Sequence, residues 1–342
     1  MKKTRLFLMV VLVLAACSTK PEPQPTAVIT EEVLPTETSE PTNRDLQGGN
    51  PFRMVVPNNQ HPIVRIMMLG FFEACEDYDV DCVMAGIDYV DISALIARGE
   101  ECISLGSSGV VYYPDGFLYE NMRDIMGSGI PIVGFHIALD DELEGDIANS
   151  WVAPNSVDYS ERVADMMAEK LECKGPIATT FFGPNDIETP AVNAFTARME
   201  ELCPGIEVFP PEEEGGEPAA AIAKAAAILT AHPDITGAYS TTGAGSTTWA
   251  TALRDAGKEP GDVMVVSMDY SEQNLDWLSQ GWVYAIVGQP LYEETYRAVE
   301  LLVDLLHGEE IQFANWYPAP IILAEDVDKY YAYGERVRQR WK

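Results

Sequence analysis

The chain has 342 residues, of which 47% are hydrophobic and 22% are charged, and its formal net charge at pH 7 is -32. So acidic a protein is repelled by phosphate backbones and by anionic lipid headgroups, which excludes nucleic acid and a directly bound membrane surface as partners. Apart from the run Glu212-Glu213-Glu214, the charged residues are spread along the chain, which indicates a solvated surface.

The first twenty residues have the pattern of an export signal. Three basic residues within the first five precede an apolar run from Leu6 to Leu14, and two alanines then precede Cys17. The run is shorter than the ~20 residues that a membrane-spanning helix needs. The segment resembles the signal of bacterial lipoproteins, which implies a signal peptide over residues 1–16 and a lipid on Cys17. We therefore expect a protein of the bacterial cell envelope that meets the membrane only through this anchor.

Residues 17–50 form a second distinct segment. They are rich in Pro, Thr and Glu and contain almost no large apolar residue, which predicts a disordered tether. Proline keeps such a chain extended, so the folded body would stand away from the membrane. Roughly 290 residues follow, more than one hydrophobic core usually supports, and two domains are expected.

From Phe52 onward, short apolar runs alternate with helical stretches. This alternation is typical of a parallel sheet with helices on both faces, and right-handed crossovers make the sheet doubly wound. The first series is predicted to contain strands Phe52–Val56, Asp81–Ala85, Val110–Tyr113 and Ile132–Phe135, with helices Ile63–Glu76, Ile92–Arg98 and Leu118–Met126.

A polar and irregular stretch, residues 138–150, interrupts this pattern. The segment Trp151–Asn155 then leads into a helix, and we place the boundary between two lobes there. The second series repeats the order of elements, with strands Ile177–Phe182, Ile206–Phe209, Gly237–Ser240 and Val263–Met268 and helices Val157–Leu171, Ala191–Leu202, Ala219–Ala231 and Thr247–Ala256. The remaining elements complete the two sheets: helix Glu272–Ser279, strand Tyr284–Val287, helix Leu291–His307 and an extended tail.

Five cysteines follow Cys17, an odd number in an oxidising compartment, so at least one thiol is left over. Cys173 and Cys203 each end a predicted helix that leads into a strand, and we hypothesise that they form a disulfide. Cys75 with Cys82 is a second candidate pair. The cysteines and histidines show no spacing typical of zinc ligands, and no metal is expected.

The second series carries a resemblance to a known family. In order and spacing, its segments resemble the ribose-binding and galactose-binding branch of the type I periplasmic binding proteins. The resemblance covers the chain from Phe52 to about Leu323. It rests on Leu229–Ile235, Gly237–Ser240, Val265–Asp269, Trp282–Pro290 and the long helix ending at His307.

The resemblance implies an α/β fold of two doubly wound parallel-sheet lobes joined by a three-segment hinge. In that family the chain crosses between lobes three times, which here falls near Ala153, near Pro290 and near residues 314–318. The implied lobes are residues 51–152 with 290–313, and residues 153–289 with 314–342. A hinge of three segments lets the lobes close on a ligand while it restrains twist.

The ligand is expected beyond the carboxyl ends of the strands, where loops meet helix N-termini. A sugar presents hydroxyl groups that donate and accept, so acids, amides and histidines contact its edges and aromatic rings cover its C–H surface. Asp269 and Gln289 match positions where the family places a ligand-binding Asp and a hinge-proximal Gln or Asn. A helix cap is the alternative role for Asp269, and a structural histidine is the alternative for His136. The predicted ligand-binding residues are Asn59, His61, Tyr113, His136, Asn155, Asp186, Thr242, Asp269 and Gln289, and the same loops supply Asn58, Gln60, Asp115 and Asn185.

Several positions depart from the family pattern. His61-Pro62-Ile63-Val64 stands where relatives have a turn with two stacking rings, Thr242-Gly243 replaces an Asn-Asp pair, and neither the arginine expected near residues 189–191 nor the aromatic residue expected near Gly216 is present. These changes count against an ordinary pyranose as the ligand. Tyr113, Trp151 and Trp249 are candidate replacement rings, with burial in the core as the alternative.

Motifs typical of catalysis are absent from the sequence. Gly243-Ala244-Gly245 lacks the third glycine of a dinucleotide loop, and neither a phosphate-binding Gly-Lys-Ser/Thr motif nor a Gly-x-Ser-x-Gly elbow occurs. Asp77, Asp79 and Asp81 alternate as in a calcium loop, but Cys82 takes the place of the required glycine. We expect no enzyme activity and no cofactor.

Together these features predict an exported, monomeric binding protein. Its ligand is expected to be a small polar molecule, a sugar or a sugar-like compound, captured between two closing lobes and passed to the permease of an ABC importer. The alternative is a sensor that presents its closed form to a chemoreceptor or sensor kinase, and the sequence does not distinguish the two.

Overall fold

A computed structural model describes residues 50–342, which form two α/β lobes. Their strands, in chain order, are β1 (Phe52–Val55), β2 (Cys82–Met84), β3 (Gly109–Tyr112), β4 (Ile132–Phe135), β5 (Ser150–Pro154), β6 (Ile177–Phe181), β7 (Glu212–Glu213), β8 (Gly237–Ser240), β9 (Met264–Met268), β10 (Ala285–Val287), β11 (Ala314–Tyr317) and β12 (Ile321–Ile322).

The strands form one six-stranded sheet in each lobe. The first sheet has the order β11-β5-β4-β3-β1-β2, and its neighbours are all parallel. The second has the order β12-β10-β9-β8-β6-β7, in which β12 alone is antiparallel to its neighbour. The order β2-β1-β3-β4-β5 therefore recurs as β7-β6-β8-β9-β10. The predicted fold class, two doubly wound parallel-sheet lobes, is confirmed.

Helices cover both faces of each sheet. They are α1 (Pro62–Asp77), α2 (Ile92–Ser104), α3 (Tyr119–Gly127), α4 (Ser156–Leu171), α5 (Glu188–Leu202), α6 (Pro218–Ala231), α7 (Gly245–Asp255), α8 (Glu272–Ser279), α9 (Leu291–Leu306) and α10 (Val327–Arg340).

The strands are apolar on both sides because each sheet lies between two helical layers. In β3, Val111 joins the core formed with α1 and α9, while its neighbour Val110 joins the core formed with α2 and α3. In the second lobe, α4 and α5 pack on one face and α6, α7 and α8 on the other. Successive residues of one strand thus pack against helices on opposite faces of the sheet.

Helix α2 continues past its predicted end at Arg98 to Ser104. Gly99 lies inside the helix, where it faces Asn121 of α3. A β-carbon on Gly99 would lie 1.8 Å from Oδ1 of Asn121, and that oxygen also accepts a hydrogen bond from the Tyr112 hydroxyl. A side chain at position 99 would push the two helices apart.

Two further predictions about elements were wrong. Residues 206–209 are not a strand of their own: Glu207 and Phe209 bond to the backbone of Ile177, and the edge strand is the later β7. The tail predicted to be extended contains α10 after β11 and β12.

The chain crosses between the lobes at three places. The connections are β5 to α4 at residues 154–156, β10 to α9 at residues 288–290, and β11 to β12 at residues 318–320. The first sheet thus extends through Pro154 and includes β11, past the boundaries predicted at residues 152 and 313. The reason is that β11 pairs with β5, which keeps the chain in the first lobe until the third crossing.

Helix α10 contacts both lobes. Arg336 pairs with Glu73 of α1 in the first lobe, and Arg338 pairs with Glu272 of α8 in the second. Between these ion pairs, the ring of Tyr333 packs against Tyr292 of α9 and Tyr270, which follows β9. The segment predicted to belong to the second lobe alone is therefore shared by the two.

Both candidate disulfides are present in the structure. Cys75 is joined to Cys82 and Cys173 to Cys203, while Cys102 is a free, buried thiol among the described residues. The Cys173–Cys203 bond ties the end of α4 to the end of α5, which are packed side by side. The bond therefore fixes two helices on one face of the second sheet.

Replacing Cys173 and Cys203 with alanine is expected to lower the free energy of unfolding by about 3–4 kcal/mol, against about 2–3 kcal/mol for Cys75 and Cys82. The sequence separations are 30 and 7 residues, and closing the longer loop removes more entropy from the unfolded chain. Urea unfolding of the two double variants measures the difference. A larger loss for the Cys75–Cys82 variant would contradict the expectation.

Within residues 50–342, no helix combines the length and the apolar character needed to cross a membrane. The predicted signal peptide, the lipid-bearing Cys17 and the tether up to residue 49 lie outside the described residues.

Candidate ligand-binding site

The carboxyl ends of the two sheets face each other across a cleft. A β-carbon on Gly116, in the loop after β3, would lie 4.0 Å from Oδ2 of Asp186, in the loop after β6. The charge of Asp269, which follows β9, acts on His136, which follows β4. Groups from both lobes therefore meet where the ligand of an open parallel sheet is expected.

A pocket of about 170 Å³ lies on the first-lobe side of this cleft. Three predicted ligand-binding residues, His61, Tyr113 and His136, line it. The other lining residues are Val56, Pro57, Asn58, Ile63, Val64, Met67 and Val90, so most of the lining is apolar.

His136 is held by α9 rather than by its own loop. Its Nδ1 lies 3.0 Å from Oε1 of Glu294, and both side chains are buried. Burial favours the neutral imidazole, but the charge of Glu294 and its hydrogen bond outweigh burial and raise the pKa of His136. Its backbone is left-handed, with φ at +73°, and its ring stacks on Tyr113 with centroids 5.9 Å apart. Such backbone strain in a residue other than glycine is typical of functional sites.

Asp269 occupies the matching place in the second lobe. It is 2% exposed, its φ is +66°, and its Oδ1 accepts no hydrogen bond from the described residues. Burial raises the pKa of Asp269 to about 7; the charge of His136 opposes this effect and that of Glu294 adds to it. The alternative role as a helix cap is not observed, because Ser271 caps α8.

The stability of the ligand-free protein is expected to fall between about pH 4 and pH 7, and Asp269→Asn to remove some of that fall. An unfolded aspartate ionises near pH ~4, whereas folded Asp269 ionises near 7. Between these values the folded state keeps a proton that the unfolded chain has lost, so the stabilisation is complete at low pH and disappears as the pH rises through 7. His136, Glu294 and Glu188 are the charged groups that act with it.

Melting temperatures of the parent and of Asp269→Asn, taken in half-unit steps of pH, test this expectation. Asp234→Asn, at an exposed aspartate in the turn before β8, is the control and should keep the parent slope. Equal slopes for the parent and Asp269→Asn would contradict the expectation.

Two acidic residues that sequence reasoning did not select belong to this site. Glu188, at the start of α5, accepts hydrogen bonds from the backbone of Phe182 and from the Thr241 hydroxyl. Burial raises the pKa of Glu188 to about 7 against these two bonds, and the charges of Glu214 and Asp269 add to the rise.

Glu214, which directly follows β7, is 3% exposed and accepts hydrogen bonds from four hydroxyl groups. Its partners are Thr180 at 2.6 Å, Ser240 at 2.6 Å, Thr242 at 2.9 Å and Thr248 at 3.3 Å. The run Glu212-Glu213-Glu214 is therefore a solvated surface only for its first two members, which are exposed. The third holds two strand ends, a loop and α7 together.

The other predicted residues divide into three groups. Asn155 is exposed, and its side chain caps α4 by accepting from Val157 and Asp158; Asp186 is exposed at the rim of the cleft. Thr242 bonds to Glu214, as described. Asn59 and Gln289 lie at strand ends of the two lobes. The Oδ1 atom of Asn59 is buried against Gly86, and Gln289 is buried at the second crossing. Asn155 is thus placed as a structural residue.

The proposed replacement rings are mostly core. Trp151 packs against Phe313 and Trp316, and Trp249 donates from Nε1 to Thr180; both are buried. Tyr113 alone of the three lines the pocket. Trp151 and Trp249 are therefore core residues and not rings that stack on a ligand.

Two exposed aromatic residues lie at strand ends that the sequence analysis did not select. Phe117 follows β3 and Phe182 follows β6, with 78% and 53% of their surfaces exposed. Cε2 of Phe182 lies 3.8 Å from the β-carbon position of Gly216, where the sequence lacks an aromatic residue. A neighbouring loop therefore supplies a ring at that place.

Two hinged lobes with polar groups at facing strand ends define a two-lobed binding protein of type I. Residues 52–310 match the family described as periplasmic binding protein domain, and the chain belongs to this family. A search of curated proteins gives no match.

Solved structures with the same fold are numerous. A sugar-binding protein of a sugar ABC transporter from Bacillus halodurans is 23% identical, with a TM-score of 0.77 over 82% of this chain and 100% of its own. A glucose-galactose binding protein from Geobacillus stearothermophilus is 18% identical, with a TM-score of 0.74 over 82% and 99%. A chain of the XylFII-LytSN complex is 19% identical, with a TM-score of 0.72 over 82% and 99%.

Proposed function

We propose that this protein captures a small polar molecule, a sugar or a sugar-like compound, between its lobes and delivers it to the permease of an ABC importer. One observation carries the proposal. His136 and Asp269 are buried at strand ends of the first and second lobe, Glu294 is buried in the first turn of α9, and the three act on one another electrostatically. A molecule in the cleft would receive hydrogen bonds from both lobes, so its binding would favour closure.

The surroundings of these groups suit a polyhydroxylated ligand. The apolar lining of the pocket and the stacked ring of Tyr113 can cover C–H surface, and Phe117 and Phe182 are exposed after strands β3 and β6. The names of the similar structures from Bacillus halodurans and Geobacillus stearothermophilus, a sugar-binding and a glucose-galactose binding protein, support the same class.

The function is binding without chemical change. The protein is exported, anchored by a lipid on Cys17, and acts as a monomer.

Thermal denaturation of the protein against a panel of sugars, polyols and cyclitols tests the proposal. A true ligand is expected to raise the melting temperature with the logarithm of its concentration. Ligand recovered after incubation should be chemically unchanged, and recovery of a modified product would point to an enzyme. Failure of every compound in the panel to raise the melting temperature would contradict the proposal.

A second candidate is a sensor that hands its closed form to a receptor protein. The XylFII-LytSN structure, which has the same fold, was solved as a complex with a second protein. Uptake of the identified ligand by cells lacking this protein separates the two. Lost uptake supports import; normal uptake with a lost cellular response to the ligand supports sensing.

A further inference from the structure

The candidate site holds more acid than base. Asp269, Glu188 and Glu294 act on His136, and His136 is the one cationic group that acts on Asp269 or Glu294 within residues 50–342. Within residues 50–342, His136 forms an ion pair with Glu294, and no lysine or arginine forms one with either carboxylate. A buried carboxylate is costly to ionise unless a positive charge or several donors compensate it, and here one imidazole faces three acids.

Two of these acids have oxygens without partners. Oδ1 of Asp269, in a residue 2% exposed, and Oε2 of Glu294, in a residue 0% exposed, accept no hydrogen bond from the described residues. Oδ1 of Asn59, in the loop after β1, is a third buried acceptor without a donor, and Nδ1 of His61, which lines the pocket, is a buried ring nitrogen without a partner. Buried acceptors are ordinarily paired, so the carboxylates of Asp269 and Glu294 are short of donors.

We propose that the ligand is a polyol that carries a positively charged nitrogen, an amino sugar or an aminocyclitol, whose ammonium group binds Asp269 in the field of Glu188 and Glu294. The inference rests on the proposed function and specifies its ligand. An ammonium group brings three donors and no acceptor, which matches a site with unpaired acceptors.

A neutral sugar fits these groups less well. Its hydroxyl groups can donate to Asp269, but they leave its negative charge without compensation, and the same hydroxyls bring acceptors into a site that already has an excess. The arginine expected near residues 189–191 is replaced here by Thr189, Pro190 and Ala191, and Glu188 stands beside them. Relative to the family pattern, this region of the cleft therefore carries an acidic side chain in place of a basic one.

Calorimetric titration at pH 7 with matched compounds tests the inference. Each set contains a neutral sugar, its 2-amino form and its N-acetyl form: galactose, galactosamine and N-acetylgalactosamine, then glucose, glucosamine and N-acetylglucosamine; scyllo-inositol and amino-scyllo-inositol form a further pair. In sets that bind, we expect the amine to bind about 10–100 times more tightly than the neutral parent, because charge-assisted hydrogen bonds are roughly twice as strong as neutral ones and the charge is buried. The N-acetyl form, which keeps the nitrogen but loses the charge, should lose this preference.

Variants show whether the preference resides in the assigned acid. Asp269→Asn is expected to weaken the amine at least tenfold more than it weakens the neutral parent, because the ammonium group loses its charged partner. Asp234→Asn, at an exposed position of the same lobe, should leave both unchanged. Melting of each ligand-free variant checks that it folds.

The outcomes separate the inference from the function on which it rests. A neutral parent that binds as tightly as its amine, or an Asp269→Asn variant that keeps the amine preference, would overturn the inference and leave the proposed function standing. A panel in which nothing binds would overturn both. Mass spectrometry of any molecule that is released when the purified protein is denatured gives a second reading, and a nitrogen-free sugar would count against the inference.

Discussion

Replacing Glu214 with alanine is expected to lower the free energy of unfolding by about 3–5 kcal/mol, because the change breaks a buried charged network and leaves a cavity. Four hydroxyl groups donate to its two oxygens, and Thr180 in turn accepts from Nε1 of Trp249. Without the carboxylate, the hydroxyls of Thr180 and Ser240 lose their shared acceptor inside the fold. Chemical denaturation of the variant measures the loss.

The neighbouring residue provides a matched control. Glu213 is exposed, and Glu213→Ala should change the free energy of unfolding by no more than about 0.5 kcal/mol. Glu214→Gln, which keeps the shape but removes the charge, should fall between the two. A Glu214→Ala variant as stable as Glu213→Ala would show that the hydroxyl network does not hold the second lobe together.

Replacing Asp269 with alanine is expected to weaken ligand binding by on the order of 100-fold, the usual effect of removing a buried charged partner. The same change should leave the ligand-free protein as stable as the parent or more stable at pH 8. There the buried carboxylate, whose pKa burial raises to about 7, is ionised at a cost in free energy. Affinity and stability are thus expected to move in opposite directions.

Isothermal titration with the ligand that the screen identifies, together with melting at pH 8, measures both effects. Asp234→Ala in the turn before β8 should change neither. If Asp269→Ala lowered stability and affinity together, Asp269 would be a structural residue of the second lobe, contrary to the expectation.

Most of the fold could be predicted from the sequence. Strands β4 and β8 and helix α8 have the predicted bounds, because each is a compact apolar or amphipathic run between turn residues. Strand β5 was not recognised, since its strand character depends on pairing with β4 and with β11, about 160 residues further along. Helix α10 has no fully buried residue, and the side chains that it packs against the core, Val327, Tyr330, Tyr333 and Val337, are tyrosines and valines, which are weak helix formers.

Several residues of the site could be predicted from the sequence, but the acidic residues Glu188 and Glu214 could not. His61, Tyr113, His136 and Asp269 lie where residues after parallel strands must lie, so the rule for strand ends found them. Glu214 was missed because an acidic run normally faces water. The signal that could have found it is the set of hydroxyl residues at neighbouring strand ends, Thr180, Ser240 and Thr242, which share one acceptor.

Helix α10 restricts how the lobes can move. Because Arg336 holds α1 and Arg338 holds α8, a rotation about the three crossings must either break an ion pair at one end of the helix or carry the helix with one lobe away from the other. Both pairs are partly exposed, so dissolved salt screens them. Higher ionic strength is therefore expected to weaken both attachments of α10. The lobes should then separate more readily, and the rate of ligand release should rise with the salt concentration.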